Sequence, residues 1–350
     1  MKSLLRRLGG LAVAGLGAAA FSLAVSAPAA AAEVTLKLHH FLPPQANVPK
    51  LALGVWADRI KEASKGRLEV QIYPAMQLGG RPPELMDQII DGAVDIAWTV
   101  IGYTPGRFPR TEVFELPFMM TADPVSTSRA FWELYESEMR DTEFKSLKPL
   151  AVWVHGPGLI HSAQPVASLA DLKGVKIRGG SRVINQLLTH LGATPVGMPV
   201  PAVSEGLSKG VISATTIPWE VTSALKVPEL VHNHTEFPGK ALYTLTFVLG
   251  MNRASYDNLP ADLKKVIDEN SGAELSAFIA KVQWEADGPA REKAVKMGNN
   301  IIQLSPKQVQ EWEEASKPVY QAWSDTVKKQ GIDGDALIAK ARALIVKHSK

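Results

Sequence analysis

The sequence predicts an α/β protein made of two lobes, each built on a mostly parallel sheet with helices on its faces. Three observations lead there. Between Val34 and Val100, strand-like and helix-like stretches alternate in the order that parallel sheets require. The alternation restarts near Leu150, after a less regular interval. The length, 350 residues, exceeds what one small core needs, and 46% hydrophobic with 21% charged residues is ordinary globular composition.

Val34-Thr35-Leu36-Lys37-Leu38 alternates like a strand. Leu51 to Ser64 reads as an amphipathic helix with Leu53, Trp56, Ala57 and Ile60 on one face, closed by Gly66. Leu68 to Tyr73 is a second strand, Pro83 to Asp91 a helix, and Asp95 to Val100 a third strand. The second unit opens with Leu150 to Val154. Val175 to Arg178 is a strand leading into Gly179-Gly180, and Ser181 is a good N-cap for a helix from Arg182 to Leu191. Val183, Ile184, Leu187, Leu188 and Leu191 form that helix's apolar stripe, with Gly192 as its stop. Thr194-Pro195-Val196, a helix over Ala202 to Ser208 and the strand Val211 to Thr215 repeat the pattern. Leu242 to Met251 reads as a long apolar strand. Everything after Leu259 reads as helical, with the apolar spacing broken at Pro289, Pro306 and Pro318. Two α/β lobes joined by several crossings are the simplest arrangement, and ligands of such proteins bind in the cleft.

The first 32 residues read as a secretory leader. Lys2, Arg6 and Arg7 open it, an apolar stretch runs to about Val25, and Ala30-Ala31-Ala32 precede Glu33. The Gly and Ala content makes this stretch weakly hydrophobic for a membrane span. The adjacent Arg6-Arg7 leaves the export route open between the general and the twin-arginine pathway. Removal of the leader leaves an exported mature chain, with no later stretch able to span a membrane. The three leader cations account for the whole excess of 38 Lys and Arg over 35 Asp and Glu. A mature chain with no basic surplus is a poor partner for nucleic acid. The absence of cysteine excludes disulfides, thiolate metal sites and cysteine nucleophiles.

Other candidate chemistry is weak. Gly206-Leu207-Ser208-Lys209-Gly210 matches the G-x-S-x-G pattern, but that motif needs a strand before the serine and a helix after it. Here the order is reversed, so Ser208 is a poor nucleophile and Gly210 a helix stop. His232 and His234 have no carboxylate at metal-motif spacing and read as a solvated loop pair. No metal, no cofactor and no enzymatic activity are expected.

Several stretches in order resemble the DctP-type solute-binding proteins of TRAP (tripartite ATP-independent periplasmic) transporters. They are Gln77-Leu78-Gly79-Gly80, Asp95-Ile96-Ala97, Phe114-Glu115-Leu116-Pro117-Phe118, Leu172 to Arg178, Leu191 to Val196, Gly210 to Ala214 and Leu259-Pro260. The resemblance covers essentially the whole mature chain. It implies a two-lobed periplasmic binding protein fold with a hinge and an interlobe ligand cleft, closing on an organic acid and handing it to membrane permease subunits. The expected division is residues 1–32 as signal peptide, 33–153 with about 241–283 as the first lobe, and 154–240 with about 284–350 as the second.

The same resemblance makes Arg178 the expected carboxylate contact. The residue's own chemistry agrees, because its planar fork at a strand end can hold a carboxylate through two parallel hydrogen bonds. Two departures from the family pattern bear on the ligand. His155-Gly156-Pro157-Gly158 stands where many relatives carry a second arginine, and Thr215-Thr216-Ile217-Pro218 replaces a Gln-Glu-Asn-Pro motif. A cation and an amide are lost and the apolar Ile217 is gained, so a second carboxylate fits poorly. Trp98, Trp219, Phe41, Phe118 and Tyr103 are candidate flat walls; Thr99, His40, Val200 and His155 complete the expected lining. The expected ligand is therefore an organic monocarboxylate with an apolar or aromatic body. The alternatives are a C4-dicarboxylate-binding TRAP subunit and a secreted hydrolase using Ser208.

Overall fold

A computed structural model of the chain describes residues 32–349. The leader expected over residues 1–32 therefore lies outside the described residues, apart from its last position. The strands are β1 Val34–His40, β2 Leu68–Tyr73, β3 Ile96–Val100, β4 Leu147–Val154, β5 Leu159–Ser162, β6 Lys176–Gly179, β7 Thr194–Gly197, β8 Ala214–Ile217, β9 Asn233–Glu236, β10 Thr246–Asn252 and β11 Asn300–Gln303. The helices are α1 Gly54–Ala63, α2 Leu85–Ile90, α3 Pro124–Leu134, α4 Arg182–His190, α5 Val203–Ser208, α6 Trp219–Thr222, α7 Val227–Leu230, α8 Arg253–Asp257, α9 Ala261–Glu269, α10 Ala273–Glu285, α11 Asp287–Lys296, α12 Pro306–Lys328 and α13 Gly334–His348.

Two sheets result, in the orders β2-β1-β3-β10-β4 and β11-β9-β5-β8-β6-β7. Helical crossovers α1 and α2 make β2, β1 and β3 parallel, as their alternation with helices predicts. The exceptions are strands that reach a sheet straight from the other lobe. β10 runs antiparallel between β3 and β4, and β5 runs antiparallel to β8 and β9. The chain passes between the sheets after β4 and after β9. A third passage lies at the turn from α10, which packs on α3 and β4, into α11, which packs on α6. The last helix, α13, packs against α3. Ion pairs Lys347–Glu133 (2.8 Å) and Lys340–Glu138 fasten it there.

Four elements differ from their sequence reading. β8 spans Ala214–Ile217 rather than Val211 to Thr215. β10 starts at Thr246, so residues 242–245 form part of a lobe crossing rather than a strand. The region after Leu259 is not all helix: Gly298, at φ +80°, ends the turn after α11, and Ile301 and Ile302 then pair with His234 and Thr235 of β9. Pro318 does not break α12, which runs through it with one backbone hydrogen bond forgone.

Where helix and strand ends match expectation, the local chemistry explains them. Ser181 Oγ accepts from Ile184 N–H (3.3 Å) at the start of α4, whose Val183, Ile184, Leu187 and Leu188 are buried, and Gly192 follows at φ +90°. Asp123 Oδ1 caps α3 in the same way.

The interior holds titratable groups whose burial shapes stability. Burial lowers His40 and His155 to about 4 and His161 to about 3, and raises Glu115, Glu143 and Glu220 to about 7. Each histidine costs stability as pH falls from 6.5 through its folded value, because the unfolded chain takes up the proton first. Each glutamate costs stability as pH rises from 4.5 through about 7, because the folded chain binds that proton more tightly. The two sets oppose each other between these limits. Urea unfolding is therefore expected to show greatest stability near about pH 5.5, with declines toward about pH 4 and about pH 8. A continuous rise from pH 5.5 to 8 contradicts this balance.

Candidate functional site

The strand ends of both sheets face a shared, narrow cavity with about 30 Å³ of free room. The first sheet supplies an aromatic wall. Trp98 and Val100 project into the cavity from β3, Phe41 follows β1, and Phe247 comes from β10. Trp153 backs this wall. It stacks on Phe247 at 5.3 Å between centroids and on Trp98 at 6.2 Å, and Phe41 leans on Trp98 at 4.7 Å. The second sheet supplies Arg178 from β6, Val200 after β7, and Ile217 and Pro218 at the end of β8.

Arg178 is 1% exposed. Its Nε–H donates to the Met198 carbonyl (2.9 Å) and an Nη1–H to the Thr216 carbonyl (3.0 Å). Nη2 has no hydrogen-bond partner among the described residues. Two neutral acceptors thus hold the guanidinium still while one corner of it stays free. A buried charge without a counter-ion costs several kcal/mol, a cost that an anionic guest offsets.

His155 is not a second cation. Its Nδ1 lies 2.5 Å from the Gly156 carbonyl, and its Nε2 accepts from Leu245 N–H (3.1 Å). The proton therefore sits on Nδ1 of a neutral ring. Burial, with the nearby Arg178 charge acting in the same direction, holds it down at about 4.

Two tyrosines add neutral donors. The Tyr103 hydroxyl oxygen accepts from Val200 N–H (2.8 Å), which leaves its own hydrogen free, and the buried Tyr243 hydroxyl has no partner. Burial raises both, Tyr243 to about 12, so they remain protonated. One fixed cation, two hydroxyl donors and flat apolar walls make a receptacle for a carboxylate on a ring.

Residues 38–326 match the family model DctP, described as bacterial extracellular solute-binding protein, family 7. The chain belongs to this DctP family. It is similar to a TRAP solute-binding protein from Rhodoferax ferrireducens, solved with copurified benzoate: 49% identity, TM-score 0.88, covering 90% of this chain and 98% of that one. A marine metagenome TRAP solute-binding protein specific for aromatic acid ligands, solved with 3-hydroxybenzoate, is 43% identical with TM-score 0.89, covering 91% and 100% of the two chains. The C4-dicarboxylate-binding periplasmic protein DctP of Rhodobacter capsulatus is 26% identical over 324 residues, 91% of this chain and 94% of its own. The chain thus has the two-lobed TRAP solute-binding fold that its sequence predicts, and the DctP family is one of solute receptors.

In this DctP-family chain, six of the ten expected site residues line the cavity: Arg178, Ile217, Trp98, Phe41, Val200 and His155. The other four face elsewhere. Thr99 alternates to the opposite face of β3 from Trp98 and Val100. His40 is buried beside the Trp98 ring, at 5.6 Å, behind Phe41. Phe118 sits at φ +55° and packs edge-on against Phe237. Trp219 opens α6 and turns into a separate cluster with His161 and His234, donating its Nε1–H to Glu236 Oε1 (3.0 Å). That cluster also corrects the reading of His234 as a solvated loop residue: it is buried on β9, its Nδ1 2.7 Å from His161 Nδ1. Ser208 is exposed and donates to the Glu205 carbonyl (3.1 Å) at the end of α5. No group of three or more metal-ligating side chains occurs among the described residues.

Sequence reasoning missed Tyr243, Glu220 and Gln283 as lining residues and counted Tyr103 only as a candidate wall. Gly180 packs against the side chains of Arg178 and Leu245. A Cβ there would stand 2.5 Å from Leu245 Cδ1 and 3.0 Å from Arg178 Nη2, on the guanidinium's free corner. Gly180→Val is expected to weaken carboxylate binding by about tenfold or more, read by calorimetry, with overpacking of about 1–3 kcal/mol in unfolding experiments. Unchanged affinity means that this corner is not where the ligand docks.

Proposed function

We propose that this protein is the extracytoplasmic receptor of a TRAP transporter, that it binds an aromatic monocarboxylate, and that it delivers the acid to membrane permease subunits. The leader directs it to the periplasm, and it has no enzymatic role. The observation that carries the reading is the partnerless Nη2 of buried Arg178 inside a cavity walled by Phe41, Trp98 and Phe247. Arg178 fixes the carboxylate, and the ring lies between the aromatic wall and Ile217. Solved relatives that hold benzoate and 3-hydroxybenzoate support the same ligand class. A C4-dicarboxylate is disfavoured because His155 is neutral and Arg178 is the one cation in the lining.

The first lobe comprises residues 33–153 with about 241–283, and the second comprises 154–240 with about 284–350, of which α13 packs back on α3 of the first. The crossings between them act as the hinge. Ligand contacts to both lobes favour the closed form, because a ligand shifts this equilibrium only by its differential affinity for the two states. The test is a thermal-shift screen of benzoate, mandelate, succinate and fumarate. An aromatic acid at a hundred times its Kd stabilises the native state by about 2.7 kcal/mol and raises the melting temperature. Succinate and fumarate are expected to leave it unchanged. Stabilisation by the dicarboxylates alone overturns the reading.

A further inference from the structure

The cavity has a second polar place, separate from Arg178. Glu220 lines it from α6 and is 4% exposed. Its Oε1 accepts from Gln283 Nε2 (2.7 Å), and Gln283 Oε1 in turn accepts from Trp153 Nε1–H (3.0 Å). Trp153 is the ring that backs the aromatic wall, so this chain of hydrogen bonds ties the carboxyl to the surface on which the ligand lies. Glu220 N–H is fixed as well, donating to Asp287 Oδ1 (2.8 Å). The carboxyl is engaged at Oε1, the Asn47 side chain, which donates to the Glu220 backbone carbonyl (3.3 Å), stands close to it as well, and no donor meets Oε2 in hydrogen-bond geometry among the described residues. Glu220 and Arg178 share the cavity, and their hydrogen bonds run to other groups rather than to each other.

A carboxyl with one engaged oxygen and one open oxygen can pair a polar group on a guest. Benzoate offers nothing beyond its single carboxylate. A ring hydroxyl both donates and accepts, so it completes Glu220 in either protonation state. Burial raises Glu220 to about 7, which favours the neutral acid that a hydroxyl oxygen accepts from. A second carboxylate can only accept, and it brings a charge the lining does not balance.

We propose that Glu220, braced by Gln283, selects among aromatic acids by binding a hydroxyl group on the ring. This rests on the aromatic-acid reading above and adds to it the group that discriminates within the class. A ring hydroxyl that pairs with Glu220 gains a hydrogen bond that the analogue without it cannot make.

The experiment is calorimetry of the full-length mature protein with benzoate and with 2-, 3- and 4-hydroxybenzoate, repeated with Glu220→Leu and Glu220→Gln. In the wild type, at least one hydroxybenzoate is expected to bind about tenfold or more tightly than benzoate. The ratio is expected to fall to about one in Glu220→Leu and to persist in part in Glu220→Gln, whose amide still pairs a hydroxyl. Equal affinity of the wild type for all four acids overturns this inference while leaving the aromatic-acid reading intact. So does a ratio that survives in Glu220→Leu. Failure of the wild type to bind any of the four overturns both. The wild-type series needs no variant to fold.

Discussion

Arg178→Ala is expected to lower affinity for benzoate by two to four decades. Removing one member of a buried charge pair costs about 3–5 kcal/mol, because the partner is left buried and uncompensated. In the complex that partner is the ligand carboxylate. The free protein behaves differently, since its own guanidinium is the uncompensated charge. Arg178→Met keeps most of the volume, removes the charge, and leaves the Met198 and Thr216 carbonyls without their donors. These effects offset each other, so the ligand-free stability of Arg178→Met is expected to lie within about 1 kcal/mol of wild type. The pair of measurements separates binding from folding. Loss of affinity together with a large loss of ligand-free stability would make Arg178 a structural residue, and wild-type affinity in either variant would remove it from the site.

Trp98→Ala carries the second large effect. Trp98 is 1% exposed and stands between Phe41, Trp153 and Phe247 in one aromatic assembly. Emptying that position is expected to lower unfolding stability by about 3–5 kcal/mol, measured in urea. The same change removes the flat face against which a ligand ring lies. In protein that still folds, affinity for benzoate is expected to drop by about tenfold, since offset aromatic contacts contribute about 0.5–1.5 kcal/mol beyond simple burial. A non-aromatic acid of similar size, cyclohexanecarboxylate, is expected to lose less. Equal losses for the two acids mean that the wall contributes area without aromatic complementarity.

The parts of this site that sequence could read are those with a local cause. Arg178 ends a strand, two glycines give it room, and Ser181 starts the next helix, all within four positions. Trp98 and Phe41 follow the same logic at the ends of β3 and β1. Elsewhere the determinants are not local. Trp219 and Glu220 are neighbours in sequence, but α6 begins at Trp219 and rotates about 100° per residue, so one side chain enters the His161–His234 cluster and the next enters the cavity. Tyr243 was read as part of a long apolar strand. The strand starts only at Thr246, and the irregular crossing before it turns the ring toward Arg178. Gln283 arrives from a helix about 60 positions after Glu220, a pairing that depends on how α10 and α11 cross between the lobes. The parallel parts of the two sheets were legible from alternation, whereas β5, β9 and β11 carried no such signal and the antiparallel entries of β5 and β10 follow from the lobe crossings.

The most direct measurement is a crystal structure of the mature protein with benzoate. A carboxylate oxygen is expected about 2.7–2.9 Å from Arg178 Nη2, the distance of a charge-assisted hydrogen bond, with the ring lying against Trp98. Benzoate bound outside the space between the two sheets, or bound there with its carboxylate turned away from Arg178, contradicts the account.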